Sequence, residues 1–256
     1  MLKAILGAAR DVYTYRYFND PRKAPRYRGV YPTYRSAEKA LPRGKVQGFN
    51  AEAVPDYFLK TAFALNPGDY PVLFWLSQIL EAGSGVFDLG GGLGQCYYTY
   101  RDFLAFPPGI HWVVCDVESL IERGRALAEE RRATDLSFTN DPSQANGAQI
   151  LLSNGALHYI EPDLSEMLGP LAALPHHILI NRVPMYSGEP YYTQQNTHHS
   201  YSVNKVMNES QFVRRLEELK YERVDAWTLP RTLHVPFHPE RFVKNFRGFY
   251  FRLTGR

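Results

Sequence analysis

Val86-Phe87-Asp88-Leu89-Gly90-Gly91-Gly92-Leu93-Gly94 is the stretch that decides the fold. Its first four residues read as a short buried strand, an apolar run interrupted by a single acid. Glycines at 90, 92 and 94 then permit a tight turn and close approach of backbone to a ligand at a helix start. The dinucleotide fingerprint spaces its glycines G-x-G-x-x-G, whereas here Gln95 follows Gly94 and the spacing is G-x-G-x-G. Asp88, two residues ahead of the first glycine, would repel a pyrophosphate and welcome a cation. The plainer reading is a glycine turn with two helix-capping aspartates, and the strand–loop–helix context argues against it.

Working outward, His111–Asp116 is a second buried strand, and the acid that ends it, Asp116, is placed to accept hydrogen bonds from two ribose hydroxyls. Leu120, Ile121, Leu127 and Ala128 mark a helix behind it. Upstream, Asp69 and Pro71 start a helix carrying Val72, Leu73, Leu76, Ile79 and Leu80, and Gly83 stops it. Ile150–Asn154 and Ile178–Asn181 are further strands ending in polar residues, and Phe212, Val213, Leu216 and Leu219 share a helix face over 209–219. Strands alternating with helices predict an α/β fold with a doubly wound, mostly parallel sheet. Two late strands, 221–227 and 248–253, predict an antiparallel pair at its edge. Residues 69–256 form the main domain, and residues 1–68 a Tyr/Pro-rich N-terminal extension packed on it, with a helix over 2–18. Residues 182–207 read as a long aromatic loop, a length usually reserved for function.

Charge is uneven. Residues 1–50 hold eleven Lys/Arg against three Asp/Glu, while the whole chain carries +3. This is either a solvated basic arm or an attachment to an acidic partner such as a diphosphate-linked substrate, an anionic membrane surface or nucleic acid. No apolar stretch is long enough to cross a bilayer, and the first residues lack a signal-peptide cleavage pattern. The expected compartment is the cytoplasm, with peripheral attachment at a membrane as one use of the arm. Cys96 and Cys115 have neither metal-ligand nor disulfide spacing, and no metal site is expected.

FDLGGGLG followed by VVCDVESLIERG resembles motifs I and II of the class I S-adenosylmethionine-dependent methyltransferases, over roughly residues 70–256. CDVESLI also resembles the D-L-P-x-V-I pattern of small-molecule O-methyltransferases without its proline. RGVYPTYRSAEKA and NRVP resemble segments of a bacterial methyltransferase family found among surface-polysaccharide genes. The resemblance implies S-adenosyl-L-methionine as cofactor and a Rossmann-like fold. It implies that Asp88, Gly90, Gly91, Gly92 and Gly94 contact the methionine moiety, Asp116 the ribose and Asp141 the adenine amino group. Asn154, ending the fourth strand, is grouped with these cofactor residues.

Methyl transfer to a hydroxyl needs alignment and a base. His158 is the candidate, in a segment similar to the LH-D-W stretch where O-methyltransferases hold their base; the alternative is a histidine that only packs its loop. Asn181, Arg182, Tyr186, Tyr191, Tyr192, His198 and His199 are the candidate acceptor contacts, since aromatic faces mixed with polar groups suit a small-molecule or glycan-type acceptor. His198 and His199 point apart in extended chain and have no acids nearby, which argues against a metal. The competing expectations are a non-catalytic cofactor-binding scaffold on a membrane-associated glycan assembly, and a nucleic-acid methyltransferase. Against the second, Ser153-Asn154-Gly155-Ala156 stands where base-modifying enzymes carry N-P-P-Y or D-P-P-Y.

Overall fold

A computed structural model of the chain describes residues 2–20, 25–43, 45–49, 59, 63–197 and 200–255. The expected acceptor contacts His198 and His199 lie outside the described residues. In chain order the elements are α1 (Leu2–Phe18), β1 (Arg26–Tyr31), α2 (Tyr34–Lys39), β2 (Val46–Gln47), α3 (Tyr70–Ile79), β3 (Gly85–Leu89), α4 (Gln95–Tyr100), β4 (His111–Cys115) and α5 (Glu118–Glu130). They continue with β5 (Leu136–Thr139), β6 (Ile150–Asn154), α6 (Leu164–Leu168), β7 (His177–Tyr186), β8 (Tyr191–Asn196), β9 (Ser200–Asn208), α7 (Glu209–Glu218), β10 (Tyr221–Leu229) and β11 (Phe246–Leu253).

The central sheet runs β10-β11-β7-β6-β3-β4-β5, parallel from β7 to β5, with β11 antiparallel to β7 and β10 antiparallel to β11. The predicted doubly wound sheet and its antiparallel edge are both present. Strand alternation sends Val86 to one face, among Val72, Leu76, Tyr97, Trp112, Ile150 and Leu152, and Phe87 to the other, among Leu151, Ile178, Ile180, Phe212 and Phe249. Because helices cover both faces, β3 has no solvated side, which is why it reads as an apolar run. Asp88 falls on the Val86 face and is carried into the core by that alternation. Successive strands build away from β3 on one side and then, from β6, on the other. The switch point between β3 and β6, where sheets of this kind hold ligands, therefore lies at the glycine loop.

One expectation fails. Residues 182–207 are not a loop: β7 runs on to Tyr186, and β8 and β9 form an antiparallel hairpin that adds to the end of β7 through Met185↔Met207 and Tyr186↔Asn208. The hairpin receives β1 along β8 and β2 along β9, so two segments of the N-terminal extension are strands of the same sheet system. The sequence hides this because polar residues occupy both faces of the hairpin. Thr193, Gln194, Gln195, Asn196, Ser202, Asn204 and Lys205 are all buried, covered on one side by α2 and the end of α1 and on the other by residues 229–246.

Candidate active site

The glycine loop leaves β3 between the ends of β4 and β6. Gly90 has φ +73°, and a Cβ there would overlap the Ala156 methyl of the segment after β6. A Cβ at Gly91 would come within 2.5 Å of the Asp88 carboxylate beneath it. Only a chain without side chains passes between these two neighbours. Asp116, at the end of β4, accepts from the Gly92 N–H at 2.8 Å and the Val117 N–H at 2.7 Å, and so fixes the loop against the next strand. Burial pushes its carboxyl up to about 6, against the pull of those two N–H bonds.

Asp88 does not open onto the surface of this loop. It is fully buried, its Oδ2 accepts from the Trp112 indole at 3.1 Å, and its Oδ1 has no partner. Burial pushes its carboxyl up to about 7, with the nearby Asp116 adding to the rise and the Trp112 bond opposing it. Its carboxylate lies directly beneath Gly91. The Gln95 side chain closes the loop's other end, Oε1 accepting from Leu93 N at 3.0 Å while Nε2 is buried without a partner. Asp141 is exposed and caps the turn at 142–145, accepting from Ser143 N at 2.9 Å and Ser143 Oγ at 2.8 Å.

A buried polar network stands beside the loop. The Asn181 amide donates to Gly68 O and to Asp69 Oδ1, both at 3.0 Å, and to Asn154 Oδ1 at 3.2 Å, and it accepts from Trp227 Nε1 at 2.9 Å. Asn154 donates to Tyr100 OH at 2.8 Å and accepts from Arg182 Nε at 2.7 Å, while Arg182 lies 3.6 Å from the Asp69 carboxylate. Asp69 does not make the side-chain cap to α3 that its spacing suggests; it is spent on Asn181 and Arg182. Asn181, with no exposed surface and its amide saturated, positions Asn154 and Arg182 and cannot itself touch an acceptor. Arg182 holds φ +59°, a costly conformation for a non-glycine residue that is maintained by these side-chain bonds.

His158 lies in the short turn Leu157–Tyr159 after β6. It is 2% exposed and its Nδ1 has no hydrogen-bond partner. Burial, and then the positive charges of Arg231, Arg182 and Lys205, hold the imidazole well below its ordinary pKa. It is a neutral ring whose Nδ1 is left unspent. Tyr159 packs against it with ring centroids 4.1 Å apart, and Phe246 lies 6.3 Å away edge-on.

The other expected acceptor contacts do not gather here. Tyr191 is 2% exposed and donates to Arg241 O at 2.6 Å, Tyr186 donates to Glu189 O, and Tyr192 packs edge-on against Tyr34. Their rings serve the hairpin because that segment is strand, with side chains fixed by pairing. Residues outside the expected contacts stand around His158 and Tyr159: Phe246 and Arg231 beside His158, and Tyr27 of β1 and Gln195 of β8 beside Tyr159. The Gln195 amide lies near the Tyr159 phenol, the Arg231 guanidinium lies near the Tyr27 phenol, and that guanidinium stands over the Phe246 ring at 4.8 Å. Only the interleaved tyrosines of the extension offered a sequence signal for them.

No protein-family model matches the chain, and no curated protein matches its sequence. Solved structures do. The Burkholderia thailandensis 1,6-didemethyltoxoflavin-N1-methyltransferase, crystallised with 1,6-didemethyltoxoflavin and S-adenosylhomocysteine, superposes with a TM-score of 0.53 at 17% identity, over 91% of this chain and 100% of that one. The fold is that of the class I methyltransferases. The glycopeptide N-methyltransferase MtfA in complex with S-adenosylmethionine (TM-score 0.50, 12% identity, 73% of this chain and 94% of that one) shares the methyltransferase fold. So does OxaC in complex with S-adenosylhomocysteine and oxaline (TM-score 0.50, 19% identity, 78% of this chain and 50% of that one).

Proposed function

We propose that this chain is an S-adenosylmethionine-dependent methyltransferase acting on a small polar acceptor, with His158 as the group that receives the acceptor's proton. The observation that carries the reading is the glycine loop at the sheet's switch point, squeezed between Asp88 and Ala156 and tied to Asp116. Asp116, with two oxygens each able to accept again, would hold the ribose diol, and the unspent Gln95 Nε2 would meet the ligand's carboxylate. When bound, the cofactor supplies a methyl group on a sulfonium centre, whose departure as a neutral thioether drives the transfer. The chain's own work is alignment and proton removal. Asn154 and Arg182 are fixed by Asn181 and Asp69, and the Leu157–Tyr159 turn presents a neutral imidazole beside them. Oxygen is the expected methylated atom, and a glycan-type acceptor is one candidate class. That the neighbouring structures carry S-adenosylmethionine or S-adenosylhomocysteine supports the cofactor.

The test is incubation of the chain with methyl-labelled cofactor and small-molecule or cell-envelope extracts. Label is expected in an acceptor, with turnover falling about 100-fold in His158→Ala at unchanged cofactor affinity. Full activity in that variant would remove His158 from the chemistry. Cofactor binding without labelled product would instead indicate a scaffold.

A further inference from the structure

Register gathers a second set of unspent polar atoms on the hairpin face that packs with Phe246, whose ring lies 6.3 Å from that of His158. In the antiparallel hairpin Gln195 stands directly across from Ser202, and Thr193 from Asn204, while Tyr27 of β1 pairs with Gln195. Directly paired residues share a face, so Tyr27, Gln195, Ser202 and Asn204 all lie on the side whose other members, Tyr191 and Val206, pack with Phe246. On that face Asn204 donates to Gln195 Oε1 at 3.0 Å, but Asn204 Oδ1 and Ser202 Oγ are buried and have no hydrogen-bond partner. Asn204 has no exposed surface and Ser202 4%. Together with His158 Nδ1, these are three orphaned polar atoms around one aromatic group, Tyr27, Tyr159 and Phe246. Buried polar groups ordinarily have partners, so unpaired atoms gathered in one region mark a place where a bound molecule can supply them.

The charges in the same place are not balanced alike. Lys205 is matched by Asp163 at 2.8 Å and Arg182 by Asp69 at 3.6 Å. Arg231, an exposed residue, has no carboxylate within ion-pair distance among the described residues; its neighbours are the Phe246 ring and the Tyr27 phenol. An exposed cation over one ring of an aromatic cluster, with uncharged orphan groups on the hairpin face that packs with it, suits a flat ligand that is negative at one edge.

We propose that the acceptor is a planar ring compound bearing an anionic group and an N–H or O–H. The anionic edge meets Arg231, the ring lies among Tyr27, Tyr159 and Phe246, and the N–H or O–H side faces Asn204, Ser202 and His158. In the reaction a lone pair of that nitrogen or oxygen forms the bond to the methyl carbon and the carbon–sulfur pair leaves with sulfur. The acceptor's proton passes to the imidazole. The proposal rests on the methyltransferase reading and names its substrate class.

The experiment uses the full chain saturated with S-adenosylhomocysteine. Calorimetry compares hydroxylated or N–H-bearing aromatic and heteroaromatic carboxylic acids with their neutral methyl esters. The acids are expected to bind about tenfold or more tightly than the esters. Arg231→Gln should erase that preference, Arg231→Lys should keep most of it, and neither should alter S-adenosylhomocysteine affinity, because the neighbours of Arg231 are Phe246 and Tyr27 and not the glycine loop. Because Arg231 is exposed, both variants should fold, which the cofactor titration checks. Binding of S-adenosylhomocysteine with no acid bound, with esters bound as well as acids, or with the preference intact in Arg231→Gln overturns the substrate class and leaves the methyltransferase reading standing. Failure of S-adenosylhomocysteine itself to bind overturns both.

Discussion

Replacing Asp88 by asparagine should make the protein more stable, and increasingly so as pH rises. Asp88 is sealed under the glycine loop with one oxygen unpaired, and its carboxyl is held at about 7 against an ordinary value of 3.8. Below pH 3.8 the group is protonated in both folded and unfolded chains and has no effect. Above it the unfolded chain gives up the proton first, so folding must retain a proton or bury a charge, and stability falls until the folded carboxyl itself ionises near 7. The loss is about 1.4 kcal/mol per pH unit, about 4 kcal/mol across the whole window. The amide introduced by Asp88→Asn would keep an acceptor for the Trp112 indole and carry no charge, so this loss disappears. Between about pH 5 and pH 8 the advantage of Asp88→Asn should widen by about 3 kcal/mol, on the order of 10 °C in Tm for a chain this size. Asp116, also raised, slopes the same way in both proteins, so apart from its coupling to Asp88 it adds little to the difference. Denaturant titrations at several pH values across this window provide the measurement. A gap that does not change with pH, or a variant less stable than wild type at the alkaline end, would show that Asp88 is not a desolvated acid.

Asn181→Leu should cost about 3 kcal/mol in urea unfolding, since it strands Asp69 and the Trp227 indole in the core; a cost below about 1 kcal/mol would mean that water replaces the amide. Because burial already keeps His158 neutral, kcat/KM should show no inflection near pH 6.5; an inflection there that vanishes in His158→Gln would mean that the imidazole titrates normally. Gly91→Val should abolish cofactor binding while leaving secondary structure intact by circular dichroism, because its side chain meets the Asp88 carboxylate; unchanged affinity would mean that the loop has room.

The parallel core was legible because burial on both faces leaves a strand uniformly apolar: β3, β4 and β6 were read to within a residue of their observed ends, and the glycines marked the switch point. Asp88 and Asp116 stood out as acids at strand ends. Their orientation did not, since it depends on which face of β3 Asp88 occupies, on Trp112 one strand away, and on how the chain turns after β4 to bring Asp116 to the Gly92 N–H. The hairpin was unreadable for the opposite reason: Gln194 and Lys205 face one side, and Gln195 and Asn204 the other, so no apolar alternation survives. Tyr27, Arg231 and Phe246 come from distant parts of the chain, and only the folded sheet brings them to His158.

The most direct measurement is a calorimetric titration of the full chain with S-adenosylhomocysteine, repeated with Asp116→Ala and with a nicotinamide dinucleotide. One molecule should bind per chain, the variant should bind about tenfold or more weakly, and the dinucleotide should give no heat. A pyrophosphate ligand that binds in place of the thioether nucleoside, or an affinity indifferent to Asp116, would contradict the site.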